Sequence, residues 1–382
     1  MAGEIDEHPR IVRCGKLQRV KLAWEQVRAF RARRHRLDKR APRAAMLRVA
    51  GEICGLHAQV LSSAELSLWA RVEGLPREAV QRALWKDGTL VKTWAMRGTL
   101  HLLPRAELPV FIGALSTYTH FLKHAWLKYF GVTSDELETV IAALAKVLPG
   151  CALTREELAE AVAAHTGSAK NGAVLRQSWG VMLKPAAFRG QLCFAQGEPP
   201  RVRFTHPGRI QAMPSEQALR ELARRYLSAY GPATRADFSS WWGESAAQSQ
   251  RLLESLDPME VEIDGERAYL LPGDAREAAR AKPEGMVRLL PAFDPYVVGA
   301  PRRGGLFPLK HKARIYRPQG WISPVLLVDG GVAGLWRHER SGRGLSVRLE
   351  PFARLTKPVR AAAAEEAERL AAFLGLELVE FR

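Results

Sequence analysis

Two stretches in the first third of the chain decide its organisation: GLHAQVLSSAELSLWARVEGL at residues 55–75 and LVKTWAMRGTLHLL at residues 90–103. In the first stretch, apolar residues alternate with a polar pair, His57 and Gln59. This period of two predicts an extended segment whose two polar side chains project to one side. On a helix, residues two apart point about 200° apart and would not share a target. The polar pair is therefore a candidate for chemistry.

The residues that follow the polar pair predict a helix and then a hairpin. Ser62-x-x-Glu65 has the spacing of a capping box at a helix start. In the second stretch, two short strands at residues 90–96 and 99–103 flank a turn that carries Arg97. Helices followed by a hairpin are typical of a winged helix-turn-helix. We therefore expect the polar pair to lie just before a helix, on a short rigid segment.

The same order of helices and a hairpin recurs twice further along the chain. Thr154-x-x-Glu157 predicts a capped helix, with a second helix at residues 173–188 and a hairpin after it. In the third unit, Asp264-Gly265 is a strong hairpin turn. Residues 275–285 read as a polar linker, after which strands predominate. The units share an architecture without sharing sequence.

The predicted fold class is α+β, with three tandem winged helix-turn-helix units followed by a C-terminal β-barrel-like domain. The last domain contains one helix, at residues 359–374, that stops at Gly375 and leads into a final strand. The predicted boundaries are 1–148 for the basic helices and first unit, 149–212 for the second, 213–284 for the third and 285–382 for the last domain.

The charge balance indicates an anionic polymer as partner. The formal net charge is +17, with 57 lysine and arginine residues, 43 of them arginine, against 40 acidic ones. Arginine presents a planar pair of donors suited to phosphate. A surplus of this size favours nucleic acid. Winged helices more often bind duplex DNA, although RNA binding stays open at this point.

The patterns that the sequence lacks predict where the protein is located and whether it binds a metal. No apolar run approaches the roughly 18 to 20 residues that span a membrane, and the first residues lack a signal-peptide pattern. The four cysteines lie far apart without a CxxC pair, and the histidines have no partners at metal-ligand spacing. We expect a cytoplasmic, nucleoid-associated monomer without metal or cofactor.

Several basic residues are candidate DNA contacts. Residues 27–43 hold eight lysine or arginine residues against one aspartate, which fits a phosphate-tracking surface or, alternatively, a solvated helix face. Arg97 would reach phosphate or hold its own turn, and the Asp264-Gly265 hairpin is a candidate DNA probe with an acidic tip. The candidate DNA-binding residues are Arg33, Arg34, Arg36, Lys39, Arg40, Arg97, His101, Arg302 and Arg303.

With those residues laid out, the chain resembles the AlkZ/YcaQ-type winged-helix DNA glycosylases from about residue 24 to residue 381. The clearest stretches are GLHAQ through LSLWAR at 55–71, TWAMRGTLHL at 93–102, LLPAFDPYVVG at 289–299 and RPQGWISPVLLVDGGVAGLWR at 317–337. The resemblance implies three tandem winged helices around a concave DNA-binding channel, then a β-barrel. It also implies hydrolysis of the bond joining an alkylated purine to deoxyribose, with crosslinked lesions as further substrates.

The family's catalytic motif is Gln-x-Gln or Gln-x-Asp, and it aligns with His57-Ala58-Gln59 here. The second glutamine is present as Gln59, whereas His57 replaces the first. A purine alkylated at N7 or N3 is cationic and leaves readily, so the enzyme must chiefly hold a water and stabilise an oxocarbenium-like sugar. Gln59 would position that water, and His57, with an ordinary pKa near 6.5, would act as general base. No lysine lies close to the motif in sequence, which favours a monofunctional enzyme.

Two plainer interpretations compete with this one. His57 and Gln59 would serve only to satisfy backbone groups at a helix start, and the protein would be a non-catalytic winged-helix regulator or lesion binder. The discriminating observation is whether the pair lies at a basic concave surface with room for water.

Overall fold

A computed structural model describes residues 20–177, 180–198, 201–300 and 305–382. The chain forms a mixed α+β structure with three small sheets of three strands each and one sheet of five strands. Each small sheet is associated with helices that precede it in sequence. The expected fold class is therefore confirmed at the level of α+β.

The first part of the chain forms the sheet that carries the polar pair. Its elements are β1 (Val20–Lys21), α1 (Trp24–Arg34), α2 (Met46–Glu52), β2 (Leu56–His57), α3 (Leu61–Trp69), α4 (Arg77–Trp85), β3 (Leu90–Trp94), β4 (Leu100–Pro104), α5 (Leu108–Leu115), α6 (His124–Phe130) and α7 (Ser134–Val147). The strand order of this sheet is β2-β4-β3, with β4 antiparallel to both neighbours. The predicted hairpin around Arg97 is confirmed.

The second and third small sheets follow in chain order. Their elements are β5 (Leu153–Thr154), α8 (Arg155–Thr166), α9 (Ala169–Gln177), α10 (Lys184–Phe188), β6 (Cys193–Ala195), β7 (Arg203–Thr205), α11 (Ser215–Tyr230), α12 (Arg235–Trp242), α13 (Ala246–Glu254), β8 (Met259–Ile263), β9 (Glu266–Leu270) and α14 (Ala275–Arg280). The capping box at Thr154 forms as predicted, with the Glu157 backbone N–H donating to its hydroxyl. The β8–β9 hairpin turns at Asp264 and Gly265, whose φ angles of 50° and 81° suit a tight hairpin turn.

Three local predictions differ from the structure. The helix expected over 173–188 is two helices, because Gly180 has a φ of 84° that a right-handed helix does not accommodate. The linker expected at 275–285 contains α14, which packs on α1. Ser62 does not cap α3: Val60 is the N-cap residue without a side-chain bond, and the buried Glu65 carboxylate accepts from Arg77 at 2.7 Å.

The N-terminal segment has a strand for which the sequence made no prediction. Strand β1 pairs in parallel with β8, so it belongs to the third small sheet rather than to the first. The pairing is held by a buried cluster in which Val27 and Phe30 of α1 pack with Val261 and Ile263 of β8. The burial of these apolar side chains stabilises the pairing, although the two paired segments lie far apart in sequence. The exact predicted domain boundaries stay a prediction.

The C-terminal part forms a curled sheet that resembles half a barrel. Its elements are β10 (Val287–Leu290), α15 (Pro295–Val298), α16 (Lys312–Ile315), β11 (Val325–Val328), β12 (Gly331–Ser341), β13 (Gly344–Pro351), α17 (Lys357–Leu374) and β14 (Glu377–Phe381). The strands are ordered β10-β11-β12-β13-β14, and α17 packs against both edge strands. Helix α17 ends at Gly375, as predicted, where φ is 67°.

Two further features concern the core and the membrane. Trp69 and Trp336 are buried, which confirms the prediction that they belong to the core. Among the residues described, no helix is both long enough and apolar enough to cross a bilayer.

Candidate functional site

The polar pair lies where strand β2 ends and helix α3 begins. His57 is directly opposite His101 of β4, and their ring centroids are 4.4 Å apart. His57 is buried, with 9% of its surface exposed, whereas Gln59 is exposed. The predicted extended segment is confirmed only for Leu56 and His57, because Gln59 lies in the bend that follows, and the two polar side chains differ in their access to solvent. Only Gln59 is open to a ligand without rearrangement.

The tight connection from α2 into β2 depends on Gly55. Its φ is 88°, and a Cβ added there would lie 2.5 Å from the Leu103 side chain. A larger residue would therefore push β2 away from β4. Glycine at this position lets the polar pair sit directly against the hairpin strand.

Arg97 holds the imidazole of His57 from the hairpin turn. Its φ is 56°, and its Nη2 lies 3.1 Å from His57 Nε2. A guanidinium only donates hydrogen bonds, so Nε2 must accept, and the proton of the neutral ring is assigned to Nδ1. That Nδ1 is buried and has no hydrogen-bond partner among the described residues. The site therefore contains a neutral histidine in a defined tautomer.

Both histidines of the site are held in their neutral forms. Burial is the main cause that lowers the pKa of His57 well below 6.5, and the nearby His101 and Arg97 lower it further. Burial likewise lowers the pKa of His101 to about 3, opposed by its Nδ1–H donating to the Thr99 carbonyl at 3.0 Å. Neither ring carries a charge at neutral pH.

Arg97 also joins the site to the third part of the chain. Its Nη1 donates to the carbonyl of Trp241, at the end of α12. Tyr118, which follows α5, donates its hydroxyl proton to the carbonyl of Trp242. A Cβ at the neighbouring Gly243 would lie 3.1 Å from Arg97 Cγ. The turn that carries Arg97 is thus packed against the C-terminal end of α12.

A third wall of the site comes from the C-terminal sheet. The Phe293 ring is stacked near His57 at 6.4 Å between centroids and 20° between planes. Phe293 has a φ of 58°, a strained conformation for an aromatic residue. The next residue, Asp294, makes a fully buried bidentate ion pair with Arg71, with both N–O distances at 2.7 Å. This pair anchors the segment that presents Phe293.

Sequence reasoning missed these C-terminal residues. Phe293 and Asp294 lie in one of the family-like stretches and Arg71 in another, but no periodicity relates positions more than two hundred residues apart. The only available signal was the AFDP segment itself, in which an acidic residue sits inside an apolar run. A buried charge implies a partner.

Most of the predicted arginines in residues 27–43 are already paired with carboxylates. Arg33 pairs with Asp38, Glu277 and Glu284, while Arg34 pairs with Asp274 and Glu277. Arg36 makes a bidentate contact with Glu52, and Arg40 is buried against Glu366. Lys39 is exposed. None of these contacts brings the group to His57.

Three of these arginines nevertheless come together in one cleft of about 910 Å³. The arginines that line the cleft are Arg33, Arg34, Arg36, Arg48, Arg105, Arg224 and Arg225. Pro104, at the end of β4, also lines it, whereas His101 lies near the start of the same strand. The cleft and the polar pair are therefore separate features.

The remaining predicted positions are distributed over the molecule. Asp264 and Gly265 are exposed at the tip of the β8–β9 hairpin. Arg302 and Arg303 lie outside the described residues. In the described part of the chain, no group of three histidine, cysteine or carboxylate side chains is placed to hold a metal ion. The expected DNA contacts stay predictions.

One basic residue near the site was not predicted. Lys184, at the start of α10, places its Nζ 3.3 Å from where a Cβ on Gly98 would lie, beside Arg97. Burial lowers the pKa of this half-buried lysine. An amine whose pKa is lowered is a potential nucleophile.

Comparison with known proteins adds three findings. The model of the DNA glycosylase AlkZ-like family matches residues 50–373. A curated protein of Streptomyces sahachiroi, described as an interstrand DNA cross-link repair glycosylase, is 35% identical over 329 residues, which are 83% of this chain and 88% of that protein. The solved structure of Streptomyces sahachiroi DNA glycosylase AlkZ is similar with a TM-score of 0.86 and 32% identity, over 95% of this chain and 100% of that chain.

Proposed function

This chain belongs to the AlkZ-like DNA glycosylase family, and from that membership we propose that it hydrolyses the N-glycosidic bond of alkylated purines in duplex DNA. The substrates are purines alkylated at N7 or N3, including bulky adducts. The name of the Streptomyces relative supports extending the proposal to interstrand crosslinks. The observation that carries the proposal is the exposed Gln59 beside the buried, neutral His57.

Gln59 is the group that contacts the attacking water. Its amide accepts a hydrogen bond from water with its oxygen and donates to the DNA backbone with its nitrogen. The water adds to C1′ as the cationic base departs in neutral form, so the C1′–N bond breaks, a C1′–O bond forms and the proton lost by the water passes to solvent. Holding the water in line lowers the barrier by removing the cost of bringing the reactants together.

His57 supports that water as a neutral acceptor rather than by taking up a full proton. Its lowered pKa makes it a weaker base than free imidazole, and Arg97 occupies its Nε2. A phosphate of the bound DNA would compete for Arg97, and the Nε2 lone pair would then accept from the water. A glutamine, which also offers one neutral acceptor and a donor, would serve the same purpose.

The DNA-binding surface is formed by tandem winged helices. The three small sheets, each following helices, support this arrangement for residues 1–148, 149–212 and 213–284, with a concave channel between them. The exposed Lys39, Arg97 at the site and the β8–β9 hairpin are candidates for contact with the duplex. We further propose that the protein acts as a monomer.

The experiment that tests this function is release of 7-methylguanine from methylated duplex DNA. We expect the protein to release free base and leave an abasic site without strand cleavage. Salt-sensitive DNA binding without any base release, from methylated or crosslinked duplex, would instead identify a non-catalytic binder.

A separate experiment tests whether the enzyme only hydrolyses the bond, because Lys184 lies close to the turn that carries Arg97. A lyase would form an imine between an amine and C1′, which borohydride traps as a covalent complex. We expect no trapped complex. A complex that forms with wild type and disappears in Lys184→Met would contradict the hydrolytic proposal.

A further inference from the structure

An exposed tryptophan lies one ring beyond the candidate catalytic histidine. Trp321 is 42% exposed, and its ring packs edge-on against Phe293 with centroids 4.9 Å apart and an interplanar angle of 73°. Phe293 in turn is stacked near His57 at 6.4 Å. The three rings form a continuous line from the buried His57 to solvent. Trp321 is the solvent end of that line.

The loop that carries Trp321 is braced. Tyr316 and Ile322 form an isolated bridge across its base, and the Arg317 N–H donates to the Trp321 carbonyl at 2.8 Å. Inside it, Gln319 takes a φ of 59°, a left-handed conformation that is uncommon for residues other than glycine. The Tyr316 hydroxyl donates to the Val297 carbonyl at 2.9 Å. A large apolar ring is thus held in solvent by a defined loop.

A held, half-exposed tryptophan beside a reactive site is suited to stacking. Trp321 keeps an exposed ring surface although packing it into the core would remove apolar area from water. Base–aromatic stacking is tolerant of the partner because any planar π system offers a face. The exposed Lys312 and Arg317 precede the ring in sequence and add positive charge for the phosphates.

We propose that Trp321, backed by Phe293, is an aromatic shelf on which a planar aromatic substituent of the alkylated purine stacks. The inference rests on the proposed function, because Gln59 and His57 then place C1′ next to the shelf. C1′ and purine N3 share the minor-groove edge of the base pair, so a substituent on N3 is the one within reach. Trp321 therefore sets a preference for aromatic over small adducts.

The test is a binding measurement on adducts that are not cleaved. Duplexes carry one 3-deazaadenine whose C3 bears a methyl, a benzyl or a cyclohexylmethyl group; the last has the size of benzyl without its planarity. Affinities are compared for wild type, Trp321→Ala, Trp321→Phe and Tyr129→Ala, the last replacing an 82% exposed aromatic of α6. Stacking on one aromatic side chain corresponds to about 5- to 150-fold in affinity.

We expect wild type to bind the benzyl duplex more tightly than the other two. In Trp321→Ala the benzyl affinity falls about 5- to 150-fold, while the methyl affinity changes less than about 2-fold. Trp321→Phe keeps most of the preference, and Tyr129→Ala matches wild type. Equal weakening on all three duplexes, or equal wild-type affinity for benzyl and cyclohexylmethyl, would overturn the shelf.

The same variants separate this inference from the proposed function. Release of 7-methylguanine by wild type and Trp321→Ala is followed in parallel, and we expect the two rates to agree within about 3-fold, because a methyl group has no ring to stack. A wild type that releases no base yet prefers the benzyl duplex would overturn the glycosylase proposal and leave the stacking contact standing. Base release by wild type without any Trp321-dependent preference for the benzyl duplex would overturn the stacking contact and leave the glycosylase proposal standing.

Discussion

At the scale of the residue, the central feature is a histidine that resembles an amide in its hydrogen bonding. His57 is neutral, accepts from Arg97 through Nε2 and carries its proton on Nδ1. Glutamine also combines an acceptor with a donor and does not titrate. The resemblance places a glutamine of the family motif at this position, so we propose that His57 keeps the chemical character of that glutamine.

The first prediction follows from that equivalence. We expect His57→Gln to release 7-methylguanine in single-turnover assays within about 10-fold of wild type, whereas His57→Phe, which has no acceptor, loses about 100-fold or more. The pH profile of wild type should be flat from pH 6 to 8 because His57 does not titrate there. An inflexion near pH 6.5 that disappears in His57→Gln would instead identify a titrating general base.

The second prediction concerns acid stability. The pKa of His101 falls from 6.5 when unfolded to about 3 when folded, so below pH 6.5 the unfolded chain binds more protons and stability is lost as pH falls. At pH 5.5 the loss is about 1.4 kcal/mol for this histidine. His101→Asn keeps a side-chain N–H for the Thr99 carbonyl without a titrating ring. Its thermal midpoint should fall less than that of wild type between pH 7.5 and 5.5, measured by differential scanning calorimetry; equal falls would contradict the assignment.

Sequence reasoning reached part of the site. The alternation around His57 and Gln59 is local, and it predicted the short strand at Leu56–His57 before a helix but not the bend at Gln59. The burial of His57 depends on Arg97 and Phe293, which approach from a hairpin and from a distant sheet. Side-chain access of this kind is set by tertiary packing, so the shared exposure expected for the pair did not follow from spacing.

At the scale of the element, the Arg71–Asp294 ion pair joins the end of α3 to the segment after β10. Both side chains are fully buried, and Asp294 also accepts from the Tyr296 N–H at 2.9 Å. Breaking one side of such a pair leaves an unpaired charge without water. The pair therefore holds the C-terminal sheet, and with it Phe293, against the first sheet.

The third prediction is the cost of breaking this pair. Asp294→Asn should lower the free energy of unfolding by about 3–5 kcal/mol in urea titrations, because Arg71 is left as an uncompensated buried charge. Asp87→Asn is the matched control, since Asp87 pairs with Arg82 at the surface with side chains 38% and 67% exposed. The control should change stability by less than about 1 kcal/mol. Equal effects of the two variants would show that the buried pair does not anchor the sheet.

Elements defined by local chemistry were the predictable ones. The Thr154 capping box, the Asp264-Gly265 turn and the glycine stop of α17 depend on neighbouring residues and were found as expected. Strand β1 was not predicted because its partner, β8, lies some 240 residues away. A strand of two residues is too short to show a hydrophobic pattern in the sequence.

At the scale of the whole molecule, the net charge is a poor guide to which basic side chains can contact phosphate. The chain has a formal charge of +17, yet several arginines of the basic segment are committed to internal carboxylates. Composition indicated the class of partner, whereas the pairing of each side chain required the fold. Lys39 and Arg40 show the difference at adjacent positions.

The fourth prediction uses that adjacent pair. Lys39→Ala should lower the slope of log affinity against log salt by about 1 on undamaged duplex, because an exposed lysine that contacts phosphate releases about one counterion. Arg40 is buried against Glu366, so Arg40→Ala should destabilise the fold and leave the salt slope unchanged. Salt titrations and urea unfolding of both variants decide this. A reduced slope in Arg40→Ala with normal stability would assign the contact to Arg40 instead.

The most direct test of the central claim is the single-turnover rate of 7-methylguanine release by Gln59→Ala. Ser62→Ala is the matched control, because Ser62 is exposed on the same segment and caps no helix. If Gln59 holds the water, its variant loses about 100-fold or more in rate and much less in DNA affinity, since only one backbone contact is removed, and Ser62→Ala matches wild type. A Gln59→Ala rate equal to that of wild type would contradict the claim and move the water to another group.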